Sequence, residues 1–213
     1  MLKFAALLAG LAAASAATAG PSETLHAAGL SMQHAAPAAV AAGARAAIPL
    51  AAGTVIYSNF NSDQSNLYDC CNGYTVRGEA VGLGYQRMAM PFTPATDTHL
   101  RRVFLAISHA GGINRIDATL QEDDNGVPGN VIRAIKVEGF PELGTCCDTE
   151  SIPGRSLALQ AGKTYWIVVT PKDLSALAWN NTNTGGEGNG AFDTGSGWQT
   201  FTGMQSAFAV IGD

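Results

Sequence analysis

From Thr164 to Thr170 the chain reads TYWIVVT, aromatic or β-branched at every position, and Pro171 closes the run. Side chains that bulky and that stiff at χ1 disfavour a helix and suit a strand buried on both faces. Ala161-Gly162 just before it is a turn that delivers the chain into the strand. A strand with no solvent face needs neighbours and a covering layer, so the rest of the chain must supply further strands.

It does so from Thr54 onward. Val55–Phe60 alternates and ends in polar turn residues. Tyr85–Phe92 sets Tyr85, Arg87, Ala89 and Pro91 on one face and Gln86, Met88, Met90 and Phe92 on the other, running out at Pro91 and Pro94. Leu100–Ser108 turns Val103, Leu105 and Ile107 one way before Gly111-Gly112. Arg115–Gln121 points Ile116, Ala118 and Leu120 inward, and Val131–Val137 returns after the turn-rich cluster Glu122–Gly129, predicting a hairpin with an acidic tip. Ala176–Asn180, a Gly190–Thr194/Trp198–Phe201 hairpin and Ala207–Ile211 complete the set. Two stretches, Asn61–Gly78 and Phe140–Ser156, read as long loops. About ten short strands with no convincing helix predict an all-β fold, an antiparallel β-sandwich of jelly-roll type. The roughly 160 residues from Thr54 suffice for one core.

The start of the chain predicts export. Lys3 is a positive n-region, Phe4–Ala14 an apolar stretch too short to span a bilayer, and Ala17-Thr18-Ala19 a small-x-small cleavage site, with Ala14-Ser15-Ala16 as the alternative. The expected organisation is a signal peptide over 1–19, an alanine-rich disordered linker or propeptide over 20–53, and a β-sandwich domain over 54–213. The linker carries Pro21, Pro37 and Pro49 and no aromatic residue, too little apolar volume for a core. The expected location is secreted, extracellular or periplasmic, with no membrane span after signal cleavage. A net charge of −5 with scattered Lys and Arg excludes the basic face that a nucleic-acid partner would need.

Four cysteines stand in two adjacent pairs, Cys70-Cys71 and Cys146-Cys147. An even count in an exported chain points to disulfides, with three connectivities open. Bonding neighbours makes a strained ring; cross-pairing closes loops of about 75 residues, each contributing about 4 kcal/mol in the chain-entropy model. A zinc site would need spacers between thiolates, which two CC pairs lack.

The common catalytic patterns are absent. Gly162-Lys163-Thr164 resembles the end of a phosphate-binding loop, yet Leu157 stands where that loop needs glycine and a strand follows where it needs a helix. There is no HExxH and no GxSxG. His99 and His109 are the histidines of the folded body, and no serine is marked out to join them in a triad. The expectation is a protein that is not an enzyme and holds no cofactor, a hydrolase with a dispersed site being the remote alternative. Asp123, Asp124 and Asn125 offer the oxygen ligands calcium prefers, without the twelve-residue loop that would confirm it; turn chemistry explains them equally.

Aromatic residues supply the functional hint. Trp179, Trp198, Tyr68 and Tyr74 lie on short strands or loops, beside the amides Asn180 and Asn181, whereas Trp166 reads as core. Exposed rings with neighbouring amides are what a polysaccharide-binding surface needs, because stacking and hydrogen bonding give affinity without net charge. The alternative is that these rings pack the end of the sandwich.

YDCCNGYTVRG (Tyr68–Gly78), QEDDNGVPGNVI (Gln121–Ile132), FPELGTCC (Phe140–Cys147), LQAGKTYWIVV (Leu159–Val169) and WNNTNTG (Trp179–Gly185) follow one another in this order. The combination resembles the exported bacterial choice-of-anchor domain proteins, close to the choice-of-anchor R group, over nearly everything from Val55 to Ile211. The resemblance implies export and a sandwich fold, and it implies no defined enzymatic activity. The chain lacks the family's C-terminal Pro-Glu-Pro segment with its apolar helix and basic end. The expected function is extracellular or cell-envelope interaction, with a polysaccharide or another surface component as partner; a purely structural envelope or matrix role is the alternative.

Overall fold

The computed structural model describes residues 31–33, 53–63, 66–145 and 149–213. The expected signal peptide, most of the expected linker, and Cys146 and Cys147 lie outside them. In chain order the strands are β1 (Ser31–Gln33), β2 (Thr54–Ser58), β3 (Asp69–Arg77), β4 (Arg87–Phe92), β5 (Thr98–Leu105), β6 (Ile107–Gly112) and β7 (Arg115–Asp124). They continue as β8 (Val127–Glu138), β9 (Glu150–Leu159), β10 (Tyr165–Pro171), β11 (Ser175–Asn181), β12 (Glu187–Asp193), β13 (Trp198–Met204) and β14 (Phe208–Gly212). The described helical structure is one 3-10 turn at Glu79–Val81, and no described helix is long and apolar enough to cross a membrane. The fold is all-β.

A six-stranded sheet in the order β13-β12-β4-β10-β7-β8 forms one layer. Two four-stranded sheets, β1-β3-β11-β6 and β2-β14-β5-β9, form the other, and all of these neighbours pair antiparallel. The two smaller sheets meet where Ala106 interrupts the passage from β5 to β6. There Asn180 N–H donates to the Ala106 carbonyl (2.8 Å), Ala106 N–H to Ala207 (3.2 Å), and Ala207 N–H to Asn180 (2.8 Å). Three backbone groups that would otherwise be buried and unpaired thereby satisfy one another at the corner.

Strand β10 sits inside the six-stranded sheet, as a run with no polar face requires. Tyr165, Ile167 and Val169 point into the main core with Met88, Met90 and Phe92 of β4 and Ile116, Ala118 and Leu120 of β7. Val103, Leu105, Ile107, Leu177, Trp179 and Phe208 of the opposite layer complete that core. The other face of β10 presents Trp166 and Val168, buried with Ala89 and Ala191 in a smaller cluster that Trp198 covers. Each fully buried aliphatic or aromatic side chain contributes about 1.5–3 kcal/mol, so the alternation read from the sequence aligns the stabilising residues on the inner faces.

The structure departs from the sequence reading at three places. Asp69–Arg77, expected inside a loop, is strand β3, and the end of the other expected loop, from Glu150 to Ser156, belongs to strand β9. The Glu122–Gly129 cluster contracts to a two-residue turn at Asn125 and Gly126, with φ of 55° and 89°, the positive values a tight hairpin needs. Residues 31–33, expected within a disordered linker, pair as an edge strand, Ser31 against Tyr74, Met32 against Gly73 and Gln33 against Asn72. A peptide with little apolar content can still order locally where a sheet edge offers it unpaired N–H and C=O groups.

Candidate functional site

The six-stranded sheet is not continuous. β12 pairs with β4 only through Ala191–Asp193 against Arg87–Ala89. Two residues further along β4 stands Pro91, which has no N–H to give a neighbour. Beyond the split, β12 runs on paired to β13 alone, from Gly190 to Glu187. Phe201 of β13 then folds over Gly190, where even a Cβ would lie 2.4 Å from its ring, and packs on Tyr74 with centroids 4.9 Å apart. The Tyr74 hydroxyl donates to the Met204 carbonyl at 2.7 Å, tying the splayed hairpin to the opposite layer. Burial, with Glu187 adding to it, raises the Tyr74 pKa, so this hydroxyl stays a donor.

Between β4 and the splayed hairpin lies an open cleft of about 890 Å³. Its more buried lining residues are mostly aromatic: Tyr57, Phe92, Trp166 and Phe201. Its rim is hydroxyl and amide: Thr93, Thr164, Thr200, Thr202 and Asn189. Thr93 and Thr164 share a hydrogen bond at 3.0 Å across β4 and β10, and Thr202 donates to Asn189 at 3.0 Å across the hairpin. Tyr57 donates to Gln205 at 3.2 Å, and burial raises its pKa against that bond. At the β7–β8 turn, Trp166 Nε1 donates to Asp123 Oδ1 (2.7 Å) and Gly126 N–H to Asp123 Oδ2 (3.1 Å). Rings at the bottom and neutral hydrogen-bonding groups at the rim suit a flat, hydroxylated ligand.

The aromatic platform expected from the sequence is not at the surface. Trp179 and Tyr68 are fully buried and Tyr74 is 3 % exposed. Trp179 belongs to the main core, its indole N–H donating to the Ala207 carbonyl at 3.1 Å, and Tyr68 to a second apolar cluster beneath β5 and β14. Asn180 is buried too, its amide donating to Ser108 at 2.7 Å, while Asn181 is half-buried at the end of β11. These short strands close the interior because β11 is an inner strand, between β3 and β6. Trp198 is half-buried and outside the cleft, under the Arg87 guanidinium at 4.4 Å from its ring centre. Arg87 also makes two bonds to Asp193 Oδ2, at 3.0 and 2.7 Å.

Among the residues expected for calcium, Asp123 lines the cleft, and both its oxygens accept from the indole and the turn amide. Asp124 Oδ1 accepts from the Asn125 amide at 2.8 Å. This is how a turn uses Asp, Asn and Gly. Among the described residues no group of three His, Cys, Asp or Glu side chains is placed to share a metal. His109 faces Glu142 (3.0 Å) and the Gly112 carbonyl (3.1 Å); neither ring nitrogen faces Ser108, which accepts from Asn180. His99 is exposed on β5.

Cys70 and Cys71 have their sulfurs 3.9 Å apart, far beyond a bond, so the neighbours are not joined to each other. No disulfide lies at bonding distance among the described residues. Burial, then the neighbouring Cys71, push the Cys70 thiol up to about 11, which leaves it protonated and a poor nucleophile at neutral pH.

Tyr57, Phe201 and the threonine rim were missed by sequence reasoning. Thr200 and Thr202 alternate on one face of a strand, a pattern any exposed strand shows, and nothing local reveals that the sheet splits beside them. No family model, no curated protein and no solved structure matches the chain.

Proposed function

We propose that this is an exported, non-enzymatic binding protein whose cleft between β4 and the β12–β13 hairpin takes a segment of an extended polysaccharide. The observation that carries this reading is the composition of the cleft: aromatic rings below, threonine hydroxyls and an asparagine amide at the rim, and no lysine or arginine among the described lining residues. Its volume falls within the range of roughly 300–1,000 Å³ usual for ligand clefts. The resemblance to choice-of-anchor domains and the signal-like start support an extracellular or envelope setting. The test is calorimetric titration of the full mature chain with a panel of soluble oligosaccharides, beside Thr202→Trp and Asn189→Ala. Both positions are exposed, so stability should stay within about 0.5 kcal/mol, while Thr202→Trp fills the cleft and abolishes binding. Binding that persists in Thr202→Trp places the ligand elsewhere and refutes the cleft.

A structural envelope role is the second reading, favoured by the burial of Trp179, Tyr68 and Tyr74. Absence of binding across the panel would support it.

The same exported setting favours disulfides between the two cysteine pairs. Gly144, two residues before Cys146, donates its N–H to the Cys70 carbonyl at 3.0 Å. Mass spectrometry of unreduced proteolytic peptides should find Cys70 or Cys71 linked to Cys146 or Cys147; four free thiols in protein from an oxidising compartment would refute it.

A further inference from the structure

Among the described residues, Asp123 is the one charged side chain lining the cleft. Its carboxylate is held from both sides by neutral donors, the Trp166 indole at 2.7 Å and the Gly126 amide at 3.1 Å. Those two bonds fix its position without neutralising it. Lys163, on the approach to β10, is paired with Glu122 instead, at 2.7 Å. Lys172 goes to Asp117 and Arg87 to Asp193, so these three cations are matched with other acids, and among the described residues no salt bridge reaches Asp123. A carboxylate has about four lone-pair sites, and two remain on Asp123 for a ligand. Being fixed in advance, it loses little entropy on accepting one more donor.

We propose that the cleft selects among sugar chains by charge, with Asp123 receiving the protonated amine of an amino sugar and repelling the carboxylate of a uronic acid. This rests on the cleft being a polysaccharide site and specifies which class it takes. A bond from an ammonium to a fixed carboxylate is charge-assisted and stronger than a neutral one. The partly open site still leaves solvent screening, so the expected preference is roughly tenfold. The rim threonines and Asn189 carry no charge and serve any hydroxylated chain, so Asp123 alone sets the preference.

The test is calorimetric titration at mildly acidic pH with three tetramers: glucosamine, N-acetylglucosamine and galacturonic acid. Each is titrated into the full mature chain and into Asp123→Asn, whose amide oxygen can still accept from the Trp166 indole. The glucosamine tetramer should bind roughly tenfold more tightly than its acetylated form, the galacturonate tetramer most weakly. The advantage should shrink as salt is raised and vanish in Asp123→Asn, where the acetylated tetramer binds as before. Equal affinity for the two glucosamine forms, or tightest binding of galacturonate, overturns the charge selection while leaving the cleft reading intact. Failure of all three to bind overturns both.

Discussion

Replacing Trp179 with alanine is expected to remove about 4 kcal/mol of folding stability, measured as a shift of the urea midpoint at unchanged slope. The indole is fully buried at the centre of β11, edge-on to Phe208 with centroids 6.0 Å apart. Truncating a buried tryptophan typically costs about 3–5 kcal/mol, because the transfer free energy is lost and the cavity collapses only in part. The Ala207 carbonyl that accepts the indole N–H keeps the Ala106 amide as a partner, so cavity formation, not an orphaned carbonyl, dominates. Against a total of about 5–15 kcal/mol for a domain, the change takes a large share. Trp179→Phe retains most of the ring volume and should lose less than half as much. A loss under about 1 kcal/mol in the alanine variant would mean that the core repacks around the site.

The Asp193 clamp gives the second large effect. The Asp193 side chain is 7 % exposed, takes two bonds from Arg87 through Oδ2, and accepts the Gly195 and Gly197 amides on Oδ1 at 2.7 and 2.9 Å. One carboxylate thus closes the β12–β13 turn and holds the guanidinium over Trp198. Asp193→Ala should cost about 3 kcal/mol, since it removes charge-assisted bonds and leaves a partly buried cation without its partner. Burial pushes the Asp193 pKa up, but the Arg87 and turn-amide bonds together outweigh it and hold the carboxyl below its ordinary value of 3.8. A depressed native pKa means that the unfolded chain takes up the proton first as pH falls. The stabilisation is therefore complete above about pH 4 and is lost as the pH drops through the native value. Thermal melts of wild type and Asp193→Asn over pH 2–6 should diverge most at the upper end and converge in acid. A constant gap down to pH 2 would show that Asp193 contributes by packing alone.

How much of this was legible in the sequence depended on whether local pattern and tertiary role agreed. Strands β7, β10 and β14 were readable because their alternation or unbroken β-branching states their burial directly. Strand β4 showed both its faces correctly, Met88, Met90 and Phe92 inward and Ala89 outward. Strand β3 was not readable, because Asn72-Gly73 is the strongest turn signal in the chain there. The glycine serves another purpose: a Cβ on Gly73 would lie 2.7 Å from the Trp179 carbonyl on the neighbouring strand. Close strand approach and turn formation call for the same residue, and one sequence cannot separate them. Gly154 hid β9 in the same way, with Leu100 against it. The cleft was illegible for a different reason. It arises where β4 and β12 part company, a relation between strands about 100 residues apart, and none of its lining residues departs from what an ordinary exposed strand carries. Trp179 misled because a short strand flanked by asparagines looks peripheral, whereas its rank within the sheet is central.

The placement of β2 beside β14 bears on when this protein can fold. Ser58 pairs with Ala209 and Thr54 with Gly212, and the Asn59 side chain accepts the Phe208 amide across 149 positions of chain. The first strand of the body therefore finds its partner only after nearly the whole polypeptide has been made. Contacts that distant in sequence are slow to form, with folding of such β topologies commonly in the millisecond-to-second range. A nascent chain of this protein stays open through synthesis, with β2 unpaired until residue 212 leaves the ribosome. That delay makes the closing of the sandwich the last event of folding, set by the arrival of β14 beside β2 and β5.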